Sequence, residues 1–561
     1  MNLGQIANLD ILAAQAARKL THVRRFYKAT LEPEKAQLAK LMQIVRANEN
    51  TAYGRAHNFA RIRNYQDYCR YVPAGGYELF EPYIDRLRAG HKEQLTREEP
   101  FMFATTSGTT AQPKFVPITE THLRDYTHAF QLHNYHMIKD FPKAAIGKFL
   151  IMSSNDEEGT TESGLPYGAV SGLLNKRQSP VIRRHFAVPF EICKIRDVEA
   201  KYYTLLRIAM TQHVTAILAC NPSSLLLIAD KMGERAADLI RDIADGGIDS
   251  RVAAELPPQL RRALEPHLRP HKQAAQRLAS CMAQSGALLP VHVWPDLSVL
   301  SCWKGGPMAF YLEKTAQYFG SVHIRDFGYM ASEGRGTVPI SSQGAGGPLA
   351  LTSHFFEFVA EGDMDKPNPK FQMIHELKVG ARYFVFFTTN AGLYRYNIND
   401  LIEVESMLGN TPVIKFVRKG AGISSITGEK ITEEQVLSAF NQTVRRSQLR
   451  SIKHFTVEVE LSLPPHYVLF LELEQDTSSS TLHDFASIFD ACLKEQNLEY
   501  RDKRDSGRLS APSVRQLPPG TYQRLRQQRV AEGAPEAQVK MPLLSPQGVF
   551  AGRLLLIEGL P

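Results

Sequence analysis

The run Thr105-Thr106-Ser107-Gly108-Thr109-Thr110-Ala111-Gln112-Pro113-Lys114 constrains this chain more than any other stretch. Apolar segments flank it at 101–104 and 115–118, so it reads as strand, polar loop, strand. Small residues let backbone N–H groups approach an oxyanion, hydroxyls donate further hydrogen bonds, and the lysine adds positive charge. A Walker loop is excluded, because the second glycine before the lysine is missing and Pro113 discourages helix entry. The run predicts a phosphate-binding loop; its structural alternative is a Ser/Thr-rich turn.

The chain has 561 residues, enough for more than one domain. The net charge of +8 is mild for this length and carries no basic tail. It does not by itself select nucleic acid over an anionic substrate. Arg501, Lys503, Arg504 and Arg508 are interrupted by Asp502 and Asp505, which reads as a solvated face. The six cysteines are scattered without a CxxC pair, which argues against zinc ribbons and a disulfide framework. No apolar run reaches membrane-spanning length and no basic start precedes an apolar core. A cytoplasmic protein with neither a membrane nor a nucleic-acid partner is the expectation.

Helical periodicity runs over residues 10–47, and 51–54 looks like a turn. Short helices suit 65–70 and 83–88, and Thr119 can cap a helix over 120–139. Strands are expected at 149–153, 214–218, 322–327, 355–359, 382–388 and 413–417, with a loop over 155–172. Helices are expected at 198–212, 223–244 and 309–319, and 286–300 reads as turn, strand, turn, strand. Strands alternating with helices, followed by a strand-rich section, give an α/β body over residues 1–417. The glycines in 418–422 read as a hinge. Residues 423–561 then form a small α+β domain, with helices at 433–445 and 482–495 and hairpin-like strands at 454–461 and 467–473.

Three later segments share a type with the opening loop: Tyr329-Met330-Ala331-Ser332-Glu333-Gly334, the stretch from Gly392 to Asp400 (Gly-Leu-Tyr-Arg-Tyr-Asn-Ile-Asn-Asp), and Gln538-Val539-Lys540-Met541-Pro542. Their order and spacing resemble the adenylate-forming superfamily, and most closely the auxin-responsive acyl-acid amido synthetases, the Gretchen Hagen family. Asn50-Thr51-Ala52-Tyr53-Gly54 and Pro82-Tyr83-Ile84 look like that family's N-terminal signature. Gly520-Thr521-Tyr522 and Gly533-Ala534-Pro535 look like its C-terminal one.

The resemblance implies a large N-terminal, firefly-luciferase-like adenylation domain and a small mobile C-terminal domain. It implies that a carboxylic acid and ATP give an acyl-adenylate and pyrophosphate, and that an amine, usually an amino acid, then gives an amide and AMP. Carboxylate attack on the α-phosphate joins two anions, so positive charge and oriented donors are needed. Ser107, Gly108, Thr109, Thr110 and Lys114 suit the phosphates, and Glu333 would hold Mg²⁺ beside Ser332. Tyr329 would stack on adenine, Asp400, which ends a β-like run, would accept from both ribose hydroxyls, and Lys540 would neutralise charge in adenylation. Arg418 and Lys430 flank the hinge and can meet phosphate. The family's usual glycine before the aspartate is here Asn399, which tolerates left-handed backbone geometry.

The helix carrying Arg124 and the segment 164–170 would help line the acyl pocket, where an arginine would pair with a second acidic group or a polar ring substituent. His128, His133 and His136 share one helix, but no acid or cysteine completes a metal set nearby. Gly344-Ala345-Gly346-Gly347 lacks dinucleotide-loop spacing and reads as a flexible turn. Two alternatives stay open: transfer of the acyl group to a thiol such as a carrier protein, and a nucleotide-binding regulatory protein without catalysis.

Overall fold

Val214–Leu218 is apolar or β-branched at every position and buried throughout. Such a strand belongs in a parallel sheet covered on both faces. In the computed structural model it pairs in parallel with Lys148–Ile151 and Val299–Cys302, and His323–Asp326 completes this four-stranded sheet. The structure describes residues 9–106, 114–305, 308–364, 366–420, 422–447, 449, 452–531 and 541–558. Leu150, Ile217 and Leu300 pack with the helices Val198–Ala209 and Pro222–Glu234 on one face. Phe149, Ala216 and Val299 pack on the other face with Met137 and Ile138 of the helix Glu120–Asp140. That helix starts where the Thr119 hydroxyl accepts from the His122 N–H at 3.1 Å.

The chain divides into two compact units, one ending at Arg418 and the other built mainly from Lys419 onward. The first holds two further sheets. One orders Lys114–Ile118, Met102–Thr106, Pro166–Gly168 and Gly159–Thr160. The other has six strands, with the long central strand Tyr396–Leu408 between Thr411–Lys419 and Arg382–Thr388. In the second unit, His466–Leu473 is buried on both faces. Tyr467, Leu469 and Leu471 meet the helices Glu433–Arg446 and Ser479–Gln496, whereas Val468 and Phe470 meet Tyr522 and Phe550. The two-residue period of a strand separates those sets.

Several expectations are corrected. The periodic stretch 10–47 is broken at Glu32, because Pro33 disfavours helical backbone in the residue before it; Pro33–Ala47 starts a new helix. Residues 51–54 hold the start of a short helix, Ala52–Ala56, capped by Thr51. The expected loop 155–172 contains the strand Pro166–Gly168, paired in parallel with Met102–Thr106. The stretch 223–244 is two helices, interrupted at Arg235, whose guanidinium engages Glu199 and Asp249. In 286–300 the first expected strand is a helical turn begun by Pro290. Gly347 and Pro348 form a short edge strand rather than a plain turn. Arg504 of the charged group near the C-terminus is half-buried on Asp490 at 2.8 Å.

Helix Pro33–Ala47 is fastened by the Lys40–Asp125 ion pair at 2.7 Å and by one amide. Gln37 donates to the carbonyls of Leu351 and His354, both at 2.7 Å, and accepts from the Phe356 N–H at 2.8 Å. Gln37→Ala leaves three buried backbone groups unpaired. It should destabilise the first unit by about 2–5 kcal/mol, read as a lower unfolding midpoint in urea. An unchanged midpoint would mean that this fastening carries no weight.

Candidate active site

Asp326 ends the last strand of the parallel sheet and shapes the turn after it. Its carboxylate accepts from the Gly328 N–H at 2.6 Å and the Lys304 N–H at 2.8 Å, and burial pushes its pKa up to about 6. Gly328 takes φ +94°, which bends the chain sharply into Tyr329. Residues Met330–Ala331 and Gly334–Arg335 then pair as a small antiparallel hairpin, with Ser332 and Glu333 as its two-residue turn. Although it forms a turn, Glu333 is only 6% exposed.

Three hydrogen bonds join segments far apart in the chain. The Ser332 hydroxyl donates to the Thr105 carbonyl at 3.4 Å, at the edge of the opening polar run. The Tyr396 hydroxyl donates to Glu333 at 3.3 Å. The Tyr329 hydroxyl donates to Asp400 at 2.7 Å. Burial first, and the facing carboxylates next, push both phenols well above their ordinary pKa, so they remain donors across the working pH range. The Tyr329 ring is buried, stacked on Phe416 and lying over Gly336.

Asp400 does not end a strand, contrary to expectation; it lies inside Tyr396–Leu408. The register explains its direction. Phe384 faces Leu401 and Phe386 faces Asn397, so the longer strand carries a bulge between these pairs. Asn399 sits in that bulge at φ +58°, the left-handed geometry expected of it, and its N–H is held by the Asn397 side chain at 2.8 Å.

Of the remaining sequence candidates, Lys114 is half-buried at the start of its strand. Arg418 extends the strand Thr411–Lys419 into the expected hinge and pairs with Glu361 at 2.9 Å. Ser107, Gly108, Thr109, Thr110 and Lys540 lie outside the described residues. Arg124 is exposed and bonded to Thr121, so it does not line a pocket. The three histidines diverge: His128 stacks on His22, His133 meets Ser301 and His136 meets Tyr27. Among the described residues no group of three or more potential metal ligands occurs. A single carboxylate such as Glu333 still suits Mg²⁺, which keeps several waters and takes one or two carboxylates alongside phosphate.

Two contributors escaped the sequence reading. Arg335 is fully buried beneath the Tyr329 turn, donating to the carbonyls of Phe327 at 2.7 Å and Thr337 at 3.1 Å. Tyr396 lay within a recognised motif, but its pairing with Glu333 has no signature in spacing.

The described residues form a two-unit α/β fold. Solved structures agree on the fold: a GH3.15 acyl acid amido synthetase gives a TM-score of 0.64 at 21% identity, covering 96% of this chain and 95% of that one. The structure titled AtGH3.15 in complex with 2,4-DB gives 0.65 at 20% identity, covering 97% and 96%. The chain belongs to the GH3 family, whose N-terminal, central and C-terminal domains match residues 22–324, 347–419 and 434–548. Among curated relatives, the jasmonoyl–L-amino acid synthetase JAR6 of Nicotiana attenuata is 25% identical, over 93% of this chain and 92% of that protein. The indole-3-acetic acid-amido synthetase GH3.4 of Arabidopsis thaliana is 24% identical, over 91% and 89%.

Two substitutions test the packing and the charge of this turn. A Cβ on Gly336 would lie 2.2 Å from the Tyr329 ring, so Gly336→Ala must displace the tyrosine. It should cost about 1–3 kcal/mol in urea unfolding, and a parental midpoint would contradict this packing. The Asp326 pKa is raised from 3.8 to about 6, so the native state binds that proton more tightly than the unfolded chain does. Its stabilisation is full below about pH 4 and is lost as pH rises through about 6. Asp326→Asn should flatten the fall in stability across that window, measured by urea unfolding at several pH values; an unaltered slope would count against it.

Proposed function

We propose that this chain is an ATP-dependent acyl-acid amido synthetase. The reading rests on the hydrogen-bonded chain that links Thr105, Ser332, Glu333 and Tyr396 in one series and Tyr329 with Asp400 in the other. The first series runs from Thr105 through the hairpin turn to the bulged strand, and the second ties that strand to the residue before the hairpin, which supports the reading.

In the first half-reaction the acid's carboxylate oxygen attacks the α-phosphorus, the bond to the β-phosphate oxygen breaks, and pyrophosphate leaves. Ser107, Gly108, Thr109, Thr110 and Lys114 grip the phosphates, with Arg418 as a further cation toward them. Asp400, aimed by Tyr329, accepts from the ribose hydroxyls, and Tyr329 flanks the base. Glu333, with Ser332 beside it, would hold Mg²⁺, which when bound offsets phosphate charge. Lys540 offsets the charge that develops between the two anions. In the second half-reaction an amine attacks the acyl carbon and AMP leaves with the electron pair of the broken mixed anhydride. Rotation of residues 423–561 about 418–422 would shield the adenylate and later admit the amine. An amine acceptor is favoured over a thiol because the relatives are named for amino-acid conjugation. A cytoplasmic setting is supported by six free cysteines; among the described residues no helix is long and apolar enough to cross a membrane.

Acid-dependent exchange of labelled pyrophosphate into ATP tests this across a carboxylic-acid library. Exchange with at least one acid, and amide formation on adding amino acids, are expected. Glu333→Ala and Lys540→Ala should each lower exchange by about 10²-fold or more, with nucleotide binding much less affected for Lys540→Ala. Parental exchange in Lys540→Ala would refute its role, and no exchange with any acid would favour a non-catalytic nucleotide-binding protein.

A further inference from the structure

One cavity in the first unit lies against the carboxyl ends of the parallel strands. Ser153 and Cys220 line it just beyond Ile151 and Leu218, and Phe327 and Met330 line it on the approach to the Ser332–Glu333 turn. Ligands of open α/β sheets bind in this crevice. Two helices close the far side. Phe130, Asn134, Met137 and Ile138 present one face of Glu120–Asp140, at intervals of four, three and one residues. Ile11, Ala14 and Arg18 present one face of Leu9–Arg18. The Gln15 side chain donates to the Asn134 carbonyl at 3.4 Å and ties the two helices together.

The lining is mostly hydrocarbon and aromatic, with two basic side chains. His185 is already matched by Asp10 at 2.7 Å. Arg18 is not: among the described residues no acid or carbonyl pairs with it, and burial alone lowers its pKa. A guanidinium held partly out of water without a counter-charge is unfavourable unless something else supplies one. Asn134 adds a side-chain amide with no hydrogen bond, its Oδ1 buried. Because amide oxygen and nitrogen are interchangeable by a flip, Asn134 can turn a donor into the cavity. An apolar wall with a bare guanidinium and an unused amide fits a hydrocarbon body that ends in an anion.

We infer that this cavity receives the acyl acid and that the acid carries a second anionic group, recognised by Arg18, away from the carboxylate that is activated. The inference rests on the amido-synthetase reading. It names the substrate class: hydrocarbon or aromatic acids with a distal carboxylate, which a guanidinium can bind through paired N–H donors. The arginine expected to do this from helix 120–139, Arg124, faces solvent; the N-terminal helix supplies it instead.

Matched acids decide the matter. The α,ω-diacids from butanedioic to decanedioic acid are compared with monoacids of equal length, and hydrocinnamic acid with its para-carboxy derivative. In pyrophosphate exchange the best diacid should exceed its monoacid in kcat/KM by about tenfold or more. Arg18→Met should abolish that preference through KM, and Arg18→Lys should retain part of it. A preference for monoacids in the parent, or an unchanged diacid ratio in Arg18→Met, overturns the inference. Exchange with monoacids alone would sink this inference and spare the adenylation reading; no exchange with any acid would sink the latter. Calorimetric binding of the same pairs to both proteins reads Arg18 without turnover. Diacid affinity lost in Arg18→Met supports the inference, and equal affinity refutes it. Arg18 is half-exposed and its side chain makes no hydrogen bond among the described residues, so the variant should keep the parental thermal midpoint.

Discussion

The hydrogen bond from Tyr329 to Asp400 is the contact on which the rest of the site depends. One partner sits on the turn that leaves the parallel sheet, the other inside the longest strand of the antiparallel sheet. Each has its own support. Gly336 makes room for the tyrosine ring, Arg335 holds the carbonyls around its turn, and the bulge at Asn399 aims the aspartate. Two layers with separate cores thereby share one fixed pair of polar side chains, held where local packing of either sheet alone could not fix them.

The site treats its two carboxylates alike in one respect. Each accepts from a buried phenol, Glu333 from Tyr396 and Asp400 from Tyr329. A buried phenol is a rigid donor with few rotatable bonds, and these two keep their protons at any pH the protein meets. Each carboxylate is thus oriented by at least one neutral donor.

Much of the architecture was legible because local and tertiary preferences agree. Val214–Leu218, Arg382–Thr388 and the helix Ala309–Phe319 fall where their patterns put them. The left-handed turn at Asn399 was readable from its side chain. The illegible parts are decided by partners distant in sequence. Pro166–Gly168 has no alternation long enough to read, and it is a strand because Met102–Thr106 offers it a ladder. The helix break at Arg235 follows Gly233 by two residues, too weak a signal alone to end a helix, and coincides with ion pairs to Glu199 and Asp249. Asp400 read as a strand end because a bulge looks like a turn until its opposite strand is known. A pocket wall from the helix 120–139 was expected, but the part that comes from Leu9–Arg18 was not, because periodicity says only that one face of that helix is covered.

The seating of that first helix has a practical bearing on how the protein is handled. Ile11 and Ala14 are part of the cavity's surface, although they stand within the first fifteen residues of the sequence. A substitution at either position is therefore an edit to the chamber's wall as much as to the helix.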